Sequence, residues 1–394
     1  VIFCRYKVAS DPNTPSFIKV IKVTTPSFLS SRNIGLDFLR AILILEGVLY
    51  HAARSLPGGN SWYYVSDKNE SLIFSSLIEF IHTFRMEAFF FLSGMFSAMV
   101  FLRKGQAFFF DNRRKRVLVP LLAAFAFIPG VMYWLSTTIK GVDTTTSGLL
   151  AAYMQLHHLW FLVSLSVISF FVPARLYAQL ATLARRLPFT VWLAALIVAA
   201  NSLFVVKFAV KDLGELITLI PVTARFCVYY AAGYVLYLNR DAIPQLAKHP
   251  LLNTAFVTLL AIGCYIAFFL TLKFNLQGVA KYIPVLLSSV FSVIFSYWVI
   301  FFFEKLRFKE SRIVNTVVDS ALVVYILHYP IAIGFAWLLD DYLPDNYPVT
   351  YVLIVTAIAS GLSALCYMVI KRQALLATLF GLKAKPAKPL AVAS

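Results

Sequence analysis

The 394-residue chain is 60% hydrophobic and only 13% charged, with a mean hydropathy of +0.79. Soluble domains lie nearer half apolar and a quarter charged, so these values exclude a soluble globular class and predict an all-α polytopic membrane protein. The net charge of +17 does not point to a nucleic-acid partner, because the excess sits in short loops between apolar runs, where it sets topology.

Residues 1–30 read as a loosely ordered tail that opens on Val rather than Met, leaving the native start open. The tail lacks the small-residue cleavage site of a signal peptide. Apolar windows of membrane-spanning length follow at about 36–55, 72–102, 117–139, 156–174, 189–207, 214–238, 252–272, 282–303, 316–339 and 349–370. They predict a bundle of about ten transmembrane helices in one membrane domain, 31–372, ahead of a basic disordered tail, 373–394. Every second loop, together with the two tails, holds 25 Lys and Arg, against 7 in the alternate loops. The positive-inside bias therefore predicts that both termini face the cytoplasm. Cys4, Cys227, Cys264 and Cys366 share no metal-like spacing and suggest no disulfide framework.

The first window, IGLDFLRAILILEGVLYHAA, is apolar yet carries Asp37, Arg40, Glu46 and His51. Charge within a membrane is costly and by default faces a protein interior or a wet cavity. Eleven residues at about 100° each bring His51 to within roughly 20° of Arg40, about 16 Å further along the same face. A lone histidine at a helix end is often only interfacial; its alignment with Arg40 and Asp37 favours chemistry. Imidazole is the side chain best matched to proton abstraction near neutral pH.

The second window is longer than a bilayer needs and is interrupted at 79–87, so a tilt, a kink or an extension into water is expected. There Glu79, His82 and Met86 fall on one helical face, flanked by Arg85 and with Glu87 following. The set serves either as a charge-balancing network for the first helix or as part of a site, and the two roles are compatible. Ser93, Gly94 and Ser97 have close-packing spacing and read as structural. Ahead of the third window, DNRRKRVLVP carries Arg113 and Arg116 at i, i+3. Such clusters usually mark topology or anionic lipid, yet two guanidinium groups so placed also suit phosphate. HHLWFL (His157, His158, Trp160) and VYILHYP (Tyr325, His328, Pro330) follow. The proline there frees a backbone carbonyl and suggests a bordering cavity, with Asp319 nearer the cytoplasmic entry. Arg225 is an intramembrane cation with no evident partner in the sequence, and nothing suggests a bound metal.

LDFLRAILILEGVLYHA, FRMEAFFFLSGMFSAMVFLRKG with RRKRVLVPLL, HLWFL and SALVVYILHYPI occur in one order along nearly the whole chain. In that order they resemble membrane acyltransferase family 3, the bacterial acyltransferases that modify envelope and exported carbohydrates. Within it the blocks are most similar to the branch that succinylates osmoregulated periplasmic glucans. The resemblance implies O-acyl transfer, of a succinyl or acetyl group, from cytoplasmic acyl-CoA to a carbohydrate hydroxyl at the periplasmic face of the bacterial inner membrane. It places Arg40, His51, Arg113, Arg116, Tyr325 and His328 on family motifs, and implies a carbohydrate acceptor and envelope glycan-synthesis proteins as partners. The expected site thus comprises catalytic Asp37, Arg40, His51, Glu79, His82 and Arg85, with Arg113, Arg116, Tyr325 and His328 on the donor. Two other readings compete: a proton-coupled transporter or exporter, and a scaffold whose charged stripe closes on another helix with no cavity beside it.

Overall fold

The computed structural model describes residues 33–57, 63–171, 173–306, 308–343 and 345–382. Residues 1–30 and most of 373–394, with Cys4, fall outside the described residues. Those described form an all-α bundle: α1 (Ile34–Ala53), α2 (Leu72–His82), α3 (Arg85–Arg113), α4 (Val119–Lys140), α5 (Thr146–Ala152), α6 (Trp160–Phe170), α7 (Ala174–Arg186), α8 (Phe189–Val210) and α9 (Glu215–Leu238). The short α10 (Ile243–Leu246) leads to α11 (Thr254–Lys273), α12 (Ile283–Lys305), α13 (Arg312–Leu339), α14 (Pro348–Ile370) and α15 (Ala374–Leu379). Every apolar window falls on a helix. Eight helical runs among the described residues are long and apolar enough to cross a membrane. The difference from ten windows has two sources. The run 72–140 joins the second and third windows, and α1 carries Asp37, Arg40 and Glu46 within 20 residues.

Local chemistry sets the helix ends. Asn33 caps α1 by accepting from Leu36 N at 3.2 Å, and Ser71 caps α2 through Phe74 N at 3.2 Å. The interrupted second window breaks outright at Thr83–Phe84, so Glu79 and His82 belong to α2 while Arg85, Met86 and Glu87 begin α3. The common helical face expected for Glu79, His82 and Met86 is therefore divided between two helices. A second break lies at Gly105, whose φ of 81° is left-handed and suits glycine. Beyond it the chain enters the π-helical turn Arg114–Leu118 before α4.

Packing follows residue size. α3 and α9 approach so closely that a Cβ on Gly94 would lie 1.9 Å from the Tyr230 carbonyl oxygen, and one on Gly233 only 1.8 Å from that of Phe91. Between membrane helices, close backbone approach of this kind supplies the dispersion contact that lipid tails deny to larger side chains. Around it Phe90 stacks on Phe226 with ring centroids 4.5 Å apart, and Phe91 meets Tyr297 edge-on at 4.6 Å. α8, α11 and α14 turn most of their apolar surface outward, whereas α6, α12 and α13 are more enclosed. A Cβ on Gly35, near the start of α1, would meet Phe308 and the Phe303 carbonyl, and one on Gly381, after α15, would meet Pro120 and Arg116.

Candidate active site

The predicted polar residues separate into two groups. At the end where the described chain begins, Asp37 and Arg40 pair at 3.9 Å and Arg40 lies over the Phe96 ring at 5.4 Å. Arg113 shares this end. It donates to Ser97 Oγ at 2.8 Å and lies over Phe109 at 5.1 Å, within electrostatic range of Arg40 and Arg116. Arg114 and Lys115 both bridge Asp111 at 2.7 Å. Arg116 is exposed and, among the described residues, has no ion pair. The two arginines expected to clamp phosphate thus differ: Arg113 is tied into the bundle and Arg116 faces outward. Asp319 is exposed.

His51, at the other end of α1, lines a cavity of about 760 Å³ together with Glu79, His82, Arg85 and Glu87. Neither Asp37 nor Arg40 lines it. α2, α3, α8 and α9 contribute most of the wall. α3 begins at the break after Thr83–Phe84, and Arg85, Met86 and Glu87 of its first turn line this space. Arg85 is 5% exposed, lies over the Tyr50 ring at 5.1 Å and fills the notch left by Gly47 on α1. His82 stacks on the same Tyr50 ring, with centroids 4.5 Å apart. Arg54 donates to Glu79 at 2.9 Å and anchors α1 to α2. Arg225, without an evident partner in the sequence, pairs with buried Glu87 at 2.9 Å.

Behind His51 lies a second, much smaller pocket of about 20 Å³, bordered by Arg85, His158, Tyr325 and His328. The His51 ring is 5.2 Å from that of His328 and meets Tyr329 edge-on at 4.8 Å. Tyr329 in turn stacks on His158 at 4.5 Å. Pro330 explains part of this arrangement. It has no N–H to offer the carbonyl four residues back, and that carbonyl, Ile326 O, accepts from His158 Nε2 at 3.1 Å. The Tyr325 hydroxyl donates to the His158 carbonyl, locking α13 to the start of α6. His328 Nδ1 donates to Val324 O at 3.0 Å, leaving Nε2 as a buried acceptor. Tyr325 and His328, expected on the donor with Arg113 and Arg116, therefore stand beside His51 and away from the basic end.

Residues 63–68 are tied to the start of α6 and to the end of α13. Tyr63 bonds His157 Nδ1 at 2.6 Å, Tyr64 donates to Asp340 at 2.6 Å, and Lys68 bridges Asp341 at 2.6 Å. The Asp341 carboxylate raises the Lys68 ammonium above its ordinary range. His157, with φ of 48°, is held in a left-handed conformation at this corner. Among the described residues no three His, Cys, Asp or Glu side chains stand close enough to hold a metal together.

Sequence reasoning passed over Tyr50, Arg54, Tyr329 and Lys207, all of which line the cavity. Arg54 had a signal, standing three residues after His51 on the same helical side. The tyrosines had none, since aromatic residues are frequent throughout the chain.

The arrangement offers an imidazole, a buried guanidinium and the first turn of a helix around one cavity. That combination can move a proton and stabilise a developing oxyanion. Comparison with known proteins bears on which chemistry it serves. The chain is 24% identical over 343 residues to glucans biosynthesis protein C of Escherichia coli (strain K12), covering 81% of this chain and 86% of that protein. The same figures hold for the protein of that name from Shigella dysenteriae serotype 1. No solved structure matches the chain. The model of the Acyl_transf_3 acyltransferase domain matches residues 33–368, so this chain, a multi-span membrane protein with bacterial relatives, belongs to acyltransferase family 3.

Proposed function

We propose that the protein is an integral O-acyltransferase of the bacterial inner membrane, with both termini in the cytoplasm. It moves a succinyl or acetyl group from cytoplasmic acyl-CoA to a hydroxyl of a periplasmic or envelope carbohydrate, a periplasmic glucan being the first candidate. The observation that carries this reading is the placement of His51 in the wall of the 760 Å³ cavity, with Arg85 and the first turn of α3 lining the same space. The names of the bacterial relatives support a glucan, and the positive-inside bias supports the orientation.

In the proposed reaction His51 takes the proton of the acceptor hydroxyl as its oxygen attacks the thioester carbonyl carbon. The new C–O bond forms, the C–S bond breaks, and the proton passes to the departing CoA thiolate. Arg85 and the amide groups opening α3 face the negative charge that develops on the carbonyl oxygen. His328 and Tyr325 position His51 and the acyl end of the donor. Arg113 and Arg116, at the opposite end, receive the donor's phosphates. Asp37 and Arg40 line its path, and Glu79 and His82 complete the charged wall. Envelope glycan-synthesis proteins would deliver the acceptor.

The test is acyl-CoA turnover by purified protein in liposomes, with acetyl-CoA and succinyl-CoA offered separately and a soluble β-glucan as acceptor. His51→Ala is expected to abolish transfer, and Arg113→Ala/Arg116→Ala to raise the donor KM. Full transfer by His51→Ala refutes the base assignment. Counterflow of labelled substrate without any acyl-CoA would favour a transporter instead.

A further inference from the structure

Arg54, Arg85, Lys207, Lys211 and Arg225 line the cavity with Glu79, Glu87 and Glu215, and of these Lys211 and Glu215 are exposed. Arg54 is matched by Glu79 at 2.9 Å and Arg225 by Glu87 at 2.9 Å. Arg85, over Tyr50, has Glu46 and Glu87 within electrostatic range. Lys207 is different. It belongs to the apolar helix α8, lines the same cavity, and has no ion pair among the described residues. Its charged neighbours are Arg225 and Glu87, so the three form a cluster with two cations and one carboxylate. That carboxylate is already engaged by Arg225, and Glu87 is 2% exposed. A surplus cation inside a membrane helix bundle is costly and calls for an anion.

We propose that Lys207, beside the Arg225–Glu87 pair, is an anion subsite that receives a carboxylate inside the cavity. A single surplus charge suits a monoanion; a phosphate dianion would leave the cluster negative. Phe204 and Phe268, which line the same cavity, suit an apolar segment next to the charged end. Two molecules bring such a group: a dicarboxylic acyl chain on the donor, or an acidic sugar on the acceptor. The subsite rests on the cavity alone, whereas assigning the carboxylate to either molecule rests on the acyl-transfer reading.

The experiment is calorimetric titration of the full chain in nanodiscs with two matched pairs of ligands. Succinyl-CoA is set against butyryl-CoA, which replaces the carboxylate by a methyl group, and a glucuronate-bearing disaccharide against its neutral glucose counterpart. Wild type, Lys207→Met and Lys207→Arg are compared, with thermal unfolding as the check on folding. In one pair the wild type is expected to favour the charged member by roughly ten- to hundred-fold. Lys207→Met is expected to erase that preference and Lys207→Arg to keep most of it. The pair that shows the effect names the source of the carboxylate. If the wild type favours neither charged ligand, the subsite is rejected whether or not the variants fold. A preference surviving in folded Lys207→Met rejects it too, and leaves Lys207 as a lysine reaching for the membrane interface. Turnover is measured separately on the same samples. Charge discrimination without acyl transfer keeps the subsite and rejects the acyl-transfer reading; transfer without discrimination does the reverse.

Discussion

Gly47→Ala tests whether the position of Arg85 governs the reaction. A Cβ at residue 47 falls 2.4 Å from Arg85 Nη1, whereas ordinary contact begins at 3.4 Å. The guanidinium must therefore retreat by about 1 Å, a misplacement that costs a catalytic group roughly 100-fold in rate. Stability should suffer less. The atom that must yield is the far end of a long side chain, so the expected loss is no more than the about 1–3 kcal/mol of an overpacked core. Gly361→Ala is the matched control, since a Cβ there meets nothing within 4 Å. Both variants would be assayed for acyl-CoA turnover in liposomes and for unfolding midpoint in detergent. Turnover of Gly47→Ala within threefold of the control would refute a role for Arg85 at the reacting centre. Loss of both turnover and folding would show instead that the contact is structural.

Glu87→Gln should cost about 3–5 kcal/mol, because it leaves Arg225 charged and buried without its partner; adding Arg225→Met should return most of that loss in an equilibrium SDS titration. Additive costs would mean that the 2.9 Å pair is not coupled. Gly233→Ala should prevent assembly of the bundle, since its Cβ would sit 1.8 Å from the Phe91 carbonyl oxygen and a backbone cannot step aside as a side chain can. Size-exclusion profile and yield report the outcome, and a normal monodisperse peak contradicts the close approach of α3 and α9. Arg113→Ala and Arg116→Ala should separate: the first loses the 2.8 Å bond to Ser97 and about 1–3 kcal/mol, whereas the exposed second stays within about 0.5 kcal/mol of wild type. Equal losses of stability would refute the inward and outward placement of the two side chains.

The helical bundle was legible because the length and polarity of apolar runs determine where backbone can lie in lipid. Each window from 36–55 to 349–370 is helical for that reason, the second of them as two helices, α2 and α3. Spacing was less informative where the chain stops being regular. Glu79, His82 and Met86 share a face only if one helix continues through Thr83 and Phe84, and it does not. The polar interruption at 79–87 signalled a kink, but helical periodicity did not fix its position between His82 and Arg85.

Sequence alone determined that charge would be brought into the bundle at Asp37, Arg40, Glu46, His51, Arg85, Glu87 and Arg225. Those residues lie within runs that lipid would otherwise surround. Which charges meet was decided by tertiary structure. Glu87 and Arg225 stand 138 positions apart yet pair at 2.9 Å, because α3 and α9 touch through Gly94 and Gly233. His158 and His328 come beside His51 because Pro330 leaves the Ile326 carbonyl to His158. Long-range pairing depends on which helix faces touch, and no local pattern along the chain encodes that choice.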